Sequence, residues 1–245
     1  MNHGLLARLL DFARPPVVLP PRAAYELWAE TYPASAHNPL MRTEQEVVAS
    51  VLAHVRAGRA LDVGTGSGRY LPLLAKTGAS QVLGIDWSRA MLTRCRAGLT
   101  ADRGAPSQLV CGDACRLPFQ NGAFDVVNAS LMVGDVHDLA GWAREVSRTL
   151  TPGGHLVYSD FHPSWAQYGW QRTFRSESGR RHAVPLVPHS IDSHVAALRS
   201  AGLRTMAVRE PRMKGDDDPA VNLFRRRWGN PPVVVVFHAI KKQDM

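Results

Sequence analysis

The chain has 245 residues, 45% of them hydrophobic and 20% charged, enough apolar material for one medium domain with its own core. No stretch approaches the roughly 20 consecutive apolar residues of a membrane span, the longest clear apolar run being Val233 to Phe237, so a transmembrane helix is excluded. The formal charge of +8 would suit a nucleic-acid partner if it were clustered, but most arginines are scattered and the densest groups are only Arg180-Arg181, Arg225-Arg226-Arg227 and Lys241-Lys242; nucleic acid is not the expected partner.

Residues 1–20 carry Leu5, Leu6, Leu9 and Leu10 around Arg8, then Arg14-Pro15-Pro16, a pattern of a short amphipathic helix and a proline-rich linker, without the features of a secretion signal. Three cysteines, Cys95, Cys111 and Cys115, are an odd set that implies no disulfide framework and points to a reducing, cytoplasmic compartment. No second Cys/His pair stands near them at ligand spacing, so no metal site is expected. Pro21 to Tyr32 and Met41 to Arg56 then carry apolar residues at helical spacing.

From Arg59 the pattern alternates. Ala60 to Val63, Gln81 to Ile85, Gln108 to Cys111, Ala123 to Ala129 and His155 to Asp160 read as strands, with helices over Arg69 to Lys76, Ser88 to Ala97 and Leu139 to Leu150 between them. Such alternation predicts an α/β fold with a doubly wound, mostly parallel sheet. Phe161 to His189, rich in Trp, Tyr, Phe, Arg, Gly and Pro, breaks the rhythm and reads as an inserted lid or substrate wall. A helix at Ser190 to Ser200 and strands at Leu203 to Arg209 and Pro232 to Ile240 follow, the two strands joined by a long connection with a polar stretch at Met213 to Pro219. The expected division is residues 1–57, N-terminal helices and linker forming part of a cap, and residues 58–245, the main domain with its insertion at about 161–189.

Asp62-Val63-Gly64-Thr65-Gly66-Ser67-Gly68 follows the first main strand and opens a helix, where an α/β sheet admits a ligand close to the backbone. The next strand ends in Asp86, eighteen residues after Gly68, where a carboxylate can accept both ribose hydroxyls of a nucleoside; Trp87 offers a flat face to its base. The third strand ends in Gly112-Asp113-Ala114, an acceptor for an exocyclic amine. The glycines fall at 64, 66 and 68, and position 69, where a dinucleotide fingerprint places its third glycine, is Arg69. Asp62, two before the first glycine, suits a ligand with a cationic amino end better than a pyrophosphate.

On these residues, together with Gly84-Ile85-Asp86-Trp87-Ser88, Phe124-Asp125-Val126-Val127 and Leu150-Thr151-Pro152-Gly153-Gly154, the sequence resembles the class I S-adenosylmethionine (SAM)-dependent methyltransferases, specifically the small-molecule group that includes quinone-biosynthesis and malonyl-carrier O-methyltransferases. The resemblance covers roughly Ala24 to Pro211. It implies a Rossmann-like, seven-stranded sheet whose last strand is antiparallel, SAM across the strand ends, and a small-molecule substrate under a cap made by the N-terminal helices and the insertion. It also implies cofactor contacts from Asp62, Gly64, Thr65, Gly66, Gly68, Asp86, Trp87, Asp113 and Ala114, from the backbone carbonyl of Asn128 toward the SAM ammonium, and from Tyr32 as a tyrosine closing the site.

Methyl transfer needs in-line positioning, and a base only where the acceptor must lose a proton. Many members of the group have a His-His pair after the fourth strand; the equivalent positions here are Gly134 and Asp135. Among Asp135, His137, His162, His182 and His189, the expected catalytic candidates are His162, directly after the fifth strand, and Asp135. Two other readings stand beside a small-molecule O-, N- or C-methyltransferase: an RNA methyltransferase, and a non-catalytic SAM-binding protein.

Overall fold

The computed structural model describes residues 15–99, 107–215 and 217–243; the amphipathic segment expected over residues 1–14 lies outside them. Five parallel strands build the core of the sheet: β2 (Arg59–Val63), β3 (Gln81–Asp86), β4 (Ser107–Cys111), β5 (Phe124–Ser130) and β6 (Leu150–Phe161). β9 (Leu203–Arg209) and β10 (Val234–Lys241) complete it in the order β4-β3-β2-β5-β6-β10-β9, with β10 antiparallel to both neighbours. This is the expected doubly wound, seven-stranded, mostly parallel sheet. The chain winds outward from β2 to β4, then returns to β5 on the other side of β2. The C-terminal ends of β2 and β5 therefore flank the point where the winding reverses, the usual ligand crevice of an open α/β sheet.

The helices are α1 (Pro21–Trp28), α2 (Pro39–Leu52), α3 (Leu71–Ala75), α4 (Arg89–Gly98), α5 (Leu139–Thr149), α6 (Ser164–Tyr168), α7 (Ile191–Ser200) and α8 (Pro219–Trp228). Side-chain caps start five of them: Asn38, Ser88, Asp138, Ser190 and Asp218 each accept from a backbone N–H of the first turn. None of the described helices is long and apolar enough to cross a membrane.

Both faces of the sheet are buried, and neighbouring strand residues divide between them. Leu61, Val127, Tyr158 and Phe237 enter one core with Trp142 of α5 and Leu198 of α7, whereas Ala60, Val126, Val157 and Val236 enter the other with Val48 and Leu52 of α2 and Leu74 of α3. This two-sided burial explains why these strands read as near-continuous apolar runs.

The insertion has its own order. β7 (Arg172–Arg175) and β8 (Arg181–Val184) form an antiparallel hairpin, and β1 (Val17–Val18), in the segment expected as linker, pairs parallel with β8. Trp28 of α1 stacks on Phe174 of β7 at 4.7 Å, so the N-terminal helix is fastened to the insertion. The connection between the last two strands contains α8, which periodicity misses because Val221 is its only buried residue. Its boundaries are nevertheless written in the sequence, with Asp218 as cap, Pro219 at the first position and Gly229 in the left-handed conformation past its end.

Phe237 is fully buried at the centre of the sheet, stacked on Tyr158 of β6 at 4.7 Å, and Tyr158 meets Trp142 edge-on. Phe237→Ala is expected to cost about 3–5 kcal/mol in urea unfolding, with Phe237→Leu costing under about 1.5 kcal/mol.

Candidate functional site

The turn after β2 is shaped by its glycines. Gly64 and Gly68 hold φ of +67° and +81°, the left-handed region that side chains avoid. A Cβ on Gly64 would stand 2.8 Å from Met132 Cβ, and one on Gly68 would stand 2.5 Å from Cys95 Sγ. Gly64 faces a cavity and Gly68 the core. The amides of Thr65, Gly68 and Gly66 donate to Ile85 O, Thr65 O and Asp86 Oδ2, at 2.9, 2.8 and 2.9 Å. Those amides are consumed within the protein and cannot cradle a pyrophosphate, in agreement with the glycine spacing.

Behind the turn, Asp62 is 1% exposed. Its Oδ1 accepts from Asn128 Nδ2 at 2.8 Å and its Oδ2 from Thr65 Oγ1 at 2.7 Å. Burial raises its carboxyl to about 6, against the opposing effect of those hydrogen bonds. Asp86 is held by the amides of Gly66 and Ser88, at 2.9 Å each, so one carboxylate fixes both the glycine turn and the start of α4; burial raises its pKa too. Each of its oxygens keeps a lone pair for a ligand.

A cavity of about 320 Å³ opens at the reversal of the sheet. Tyr32, Gly64, Gly66, Asp86, Trp87, Asp113, Ala114 and Asp135 line it, drawn from the ends of β2, β3, β4 and β5 and from the chain after α1. Asp62, Thr65, Gly68 and Asn128 stand behind that lining. His137 and Asp138 reach the rim. Asp113 Oδ1 accepts from the Cys115 amide at 2.8 Å, which orients the carboxylate.

Among the further lining residues, Tyr25, Arg69 and Leu131 are not singled out by the sequence as site residues. Tyr25 sits seven residues, about two helical turns, before Tyr32, and that spacing is a legible signal. The sequence marks Arg69 as a steric misfit for a dinucleotide and gives no sign of its place in the cavity wall. Leu131 adopts φ +55°, held there by its amide, which donates to Ser159 O and Ser159 Oγ at 3.1 and 3.0 Å; no sequence feature announces it.

A second cavity of similar volume lies beside the first, walled by Phe161, Trp165, Trp170, Val184, Pro185 and Leu186 of the insertion. Arg172 lines it, 6% exposed, and forms a forked ion pair with Asp135, which lines the first cavity. Arg172 Nη1 also donates to Tyr25 Oη at 2.8 Å. The Tyr25–Arg172–Asp135 group thus stands at the boundary of the two cavities. Gly134 is tightly packed there: a Cβ would stand 3.0 Å from both Asp160 Oδ1 and Leu186 Cδ2, so those side chains would have to give way. His162 lines the second cavity, away from Asp86 and Trp87; its Nε2 is 2.8 Å from Glu210 Oε2 and its Nδ1 accepts from the Ser164 amide at 3.1 Å.

Residues 61–158 match the methyltransferase domain family. Over 101 residues the chain is 37% identical to demethylmenaquinone methyltransferase from Roseiflexus castenholzii, covering 41% of each chain. It is 34% identical over 139 residues to demethylmenaquinone methyltransferase from Streptomyces avermitilis, covering 56% of each. The matched stretch thus spans about half or less of the first such relatives' length. The crystal structure of an S-adenosylmethionine dependent methyltransferase from Mesorhizobium loti superposes with a TM-score of 0.64 at 25% identity, covering 81% of this chain and 98% of that one.

The raised pKa of Asp62 gives a signed prediction. The folded state keeps the proton to about pH 6, the unfolded chain only to its ordinary 3.8, so unliganded stability falls as pH rises between those values. Measured by urea unfolding between pH 4 and 7, wild-type stability should fall relative to Asp62→Asn by roughly 2 kcal/mol. Parallel pH profiles for the two proteins would contradict this.

Proposed function

Because the chain carries a class I S-adenosylmethionine-dependent methyltransferase domain, we propose that it is an enzyme that transfers a methyl group from SAM to a small-molecule acceptor in biosynthetic metabolism. The observation that carries this reading is the convergence of the Gly64–Gly66 turn, Asp86, Trp87, Asp113 and Tyr32 on one cavity at the reversal of the sheet. The charge of the lining fits the cofactor: Asp86, Asp113, Asp135 and Asp138 face it with Arg69 as the one Lys or Arg among the described lining residues, a setting that favours a sulfonium nucleoside over a pyrophosphate.

In this reading Asp86 receives the ribose hydroxyls on its remaining lone pairs, Trp87 flanks the adenine and Asp113 accepts from its amino group. Asp62 lends negative field through the turn, and the carbonyl of Asn128 meets the ammonium. SAM, when bound, supplies an electrophilic methyl group on its sulfonium. The chain's own contribution is to orient donor and acceptor and exclude water, which supplies much of the acceleration in such displacements.

The acceptor chamber is the second cavity, with α1, α2 and the insertion as cap and residues 58–245 as the catalytic domain. Its aromatic walls suit a flat, apolar molecule bearing a hydroxyl or carbonyl, in keeping with the quinone-type substrates in the names of the relatives. Asp135, at the boundary and fixed by Arg172, is the group placed to take a proton from such a hydroxyl, in preference to His162, whose two ring nitrogens are both engaged. The free state of Cys95, Cys111 and Cys115 supports the cytoplasmic placement.

Calorimetric titration with S-adenosylhomocysteine tests the cofactor site: Asp86→Ala should weaken binding at least tenfold, from the loss of charge-assisted hydrogen bonds worth about 1.5–3 kcal/mol. Unchanged affinity would remove the central assignment. Transfer of isotopic methyl from SAM across a panel of naphthols, quinols and structured RNAs tests the acceptor. Label is expected on the aromatic hydroxyl compounds, and Trp170→Ala should raise the acceptor KM while sparing the KM for SAM; label on RNA alone would replace this reading, and no label on any acceptor would point to a non-catalytic SAM-binding protein.

A further inference from the structure

Arg69 stands directly after the glycine turn and lines the strand-end cavity, 11% exposed. Its donors are unequally used. Nη1 lies 3.0 Å from Glu44 Oε2 and donates to Met41 O and Gln45 Oε1, both at 3.3 Å, all on α2. No hydrogen bond among the described residues engages Nε or Nη2. The guanidinium lies over the Tyr70 ring at 4.6 Å, which fixes its plane.

Glu44 is 0% exposed, an expensive place for a carboxylate unless it is fully partnered. It accepts from Tyr70 Oη at 2.5 Å and from Ser159 Oγ at 2.7 Å, besides pairing with Arg69. Helix α2 thereby holds the arginine by one nitrogen and leaves its Nε–Nη2 edge without a protein partner among the described residues, while Tyr70 and Ser159 of β6 fix Glu44. That edge is the fork that receives a carboxylate through two parallel hydrogen bonds. The other charged residues lining the cavity, Asp86, Asp113, Asp135 and Asp138, attract a ligand's cationic groups and repel its anionic end.

We propose that Arg69 is the carboxylate-reading residue of this cavity, with Glu44 as the positioning residue that aims it, so that the site selects nucleoside thioethers and sulfonium compounds that carry an α-amino acid end over those that lack it. The proposal rests on the SAM reading above and adds to it which side chain recognises the amino-acid carboxylate. It also explains why an arginine follows Gly68: the position that would obstruct a pyrophosphate places a cation in the wall of a cavity whose other charged lining residues are carboxylates.

The test compares two ligands that share the nucleoside and differ in the tail, S-adenosylhomocysteine and 5′-methylthioadenosine, by calorimetry on wild type, Arg69→Lys and the paired variant Arg69→Met/Glu44→Gln. The lysine variant keeps a charge beside Glu44, and the paired variant removes both charges together, so neither leaves a buried ion alone. In both, S-adenosylhomocysteine is expected to bind 10- to 100-fold more weakly while 5′-methylthioadenosine changes less than threefold. Unaltered binding of S-adenosylhomocysteine, or equal weakening of both ligands, would overturn the proposal and leave Arg69 a brace for α2. Wild type binding neither ligand would instead overturn the SAM reading, and this proposal with it.

Discussion

The cavity exists because pairing between β2 and β5 stops at Asp62 and Asn128. These two residues face each other across the strands, and the Asn128 amide donates to the buried Asp62 carboxylate. β2 stays paired with β3 one residue further, through Val63 and Ile85, then turns away into the glycine loop. Thr65 returns to bond the same carboxylate, so one side chain joins the two strands and the turn at the place where they separate. The β2–β3 side of the cavity hangs from that joint: the turn presents Gly64 and Gly66, and the Gly66 amide fixes Asp86.

Charge burial follows one rule throughout the site. Asp62 and Asp86 are tied by hydrogen bonds to amides, an Asn or a Thr, whereas Glu44 and Asp135 are tied to arginines. The first kind retains a net negative field suited to a cationic ligand. The second is charge-paired and sets geometry, holding Arg69 in the wall of the cavity and placing Asp135 and Arg172 together at the boundary with the next. The two parts of the cap, α1 and the insertion, are joined to each other by aromatic contacts, Trp28 on Phe174 and Arg172 over the Tyr25 ring, and the insertion is tied to the sheet side by the Arg172–Asp135 pair.

The parallel sheet, the order of its elements and the strand-end positions of Asp86, Trp87 and Asp113 were all legible in the sequence, because two-sided burial writes apolar runs and each run ends where a turn begins. The glycine loop was legible for a related reason, since its conformation is encoded by the residue type itself. The helix α8 was harder, with its caps written and its apolar face reduced to Val221. The hairpin of the insertion was not legible, because β7 and β8 are four residues each and bury their side chains against α1 rather than against the main core.

What the sequence determined by itself is therefore the local chemistry: which residues end which strand, where the backbone turns, and that a dinucleotide does not fit. Only the tertiary structure decided which of those groups meet. It brought Asp135 to Arg172 across 37 residues and Glu44 to Arg69 across 25, and it carried His162 into a separate cavity beside Glu210. The reason is physical: a strand end or a cap is fixed by interactions a few residues long, whereas an ion pair between distant segments depends on how helices and insertion pack on the sheet, and the sequence carries no periodic signature of that packing.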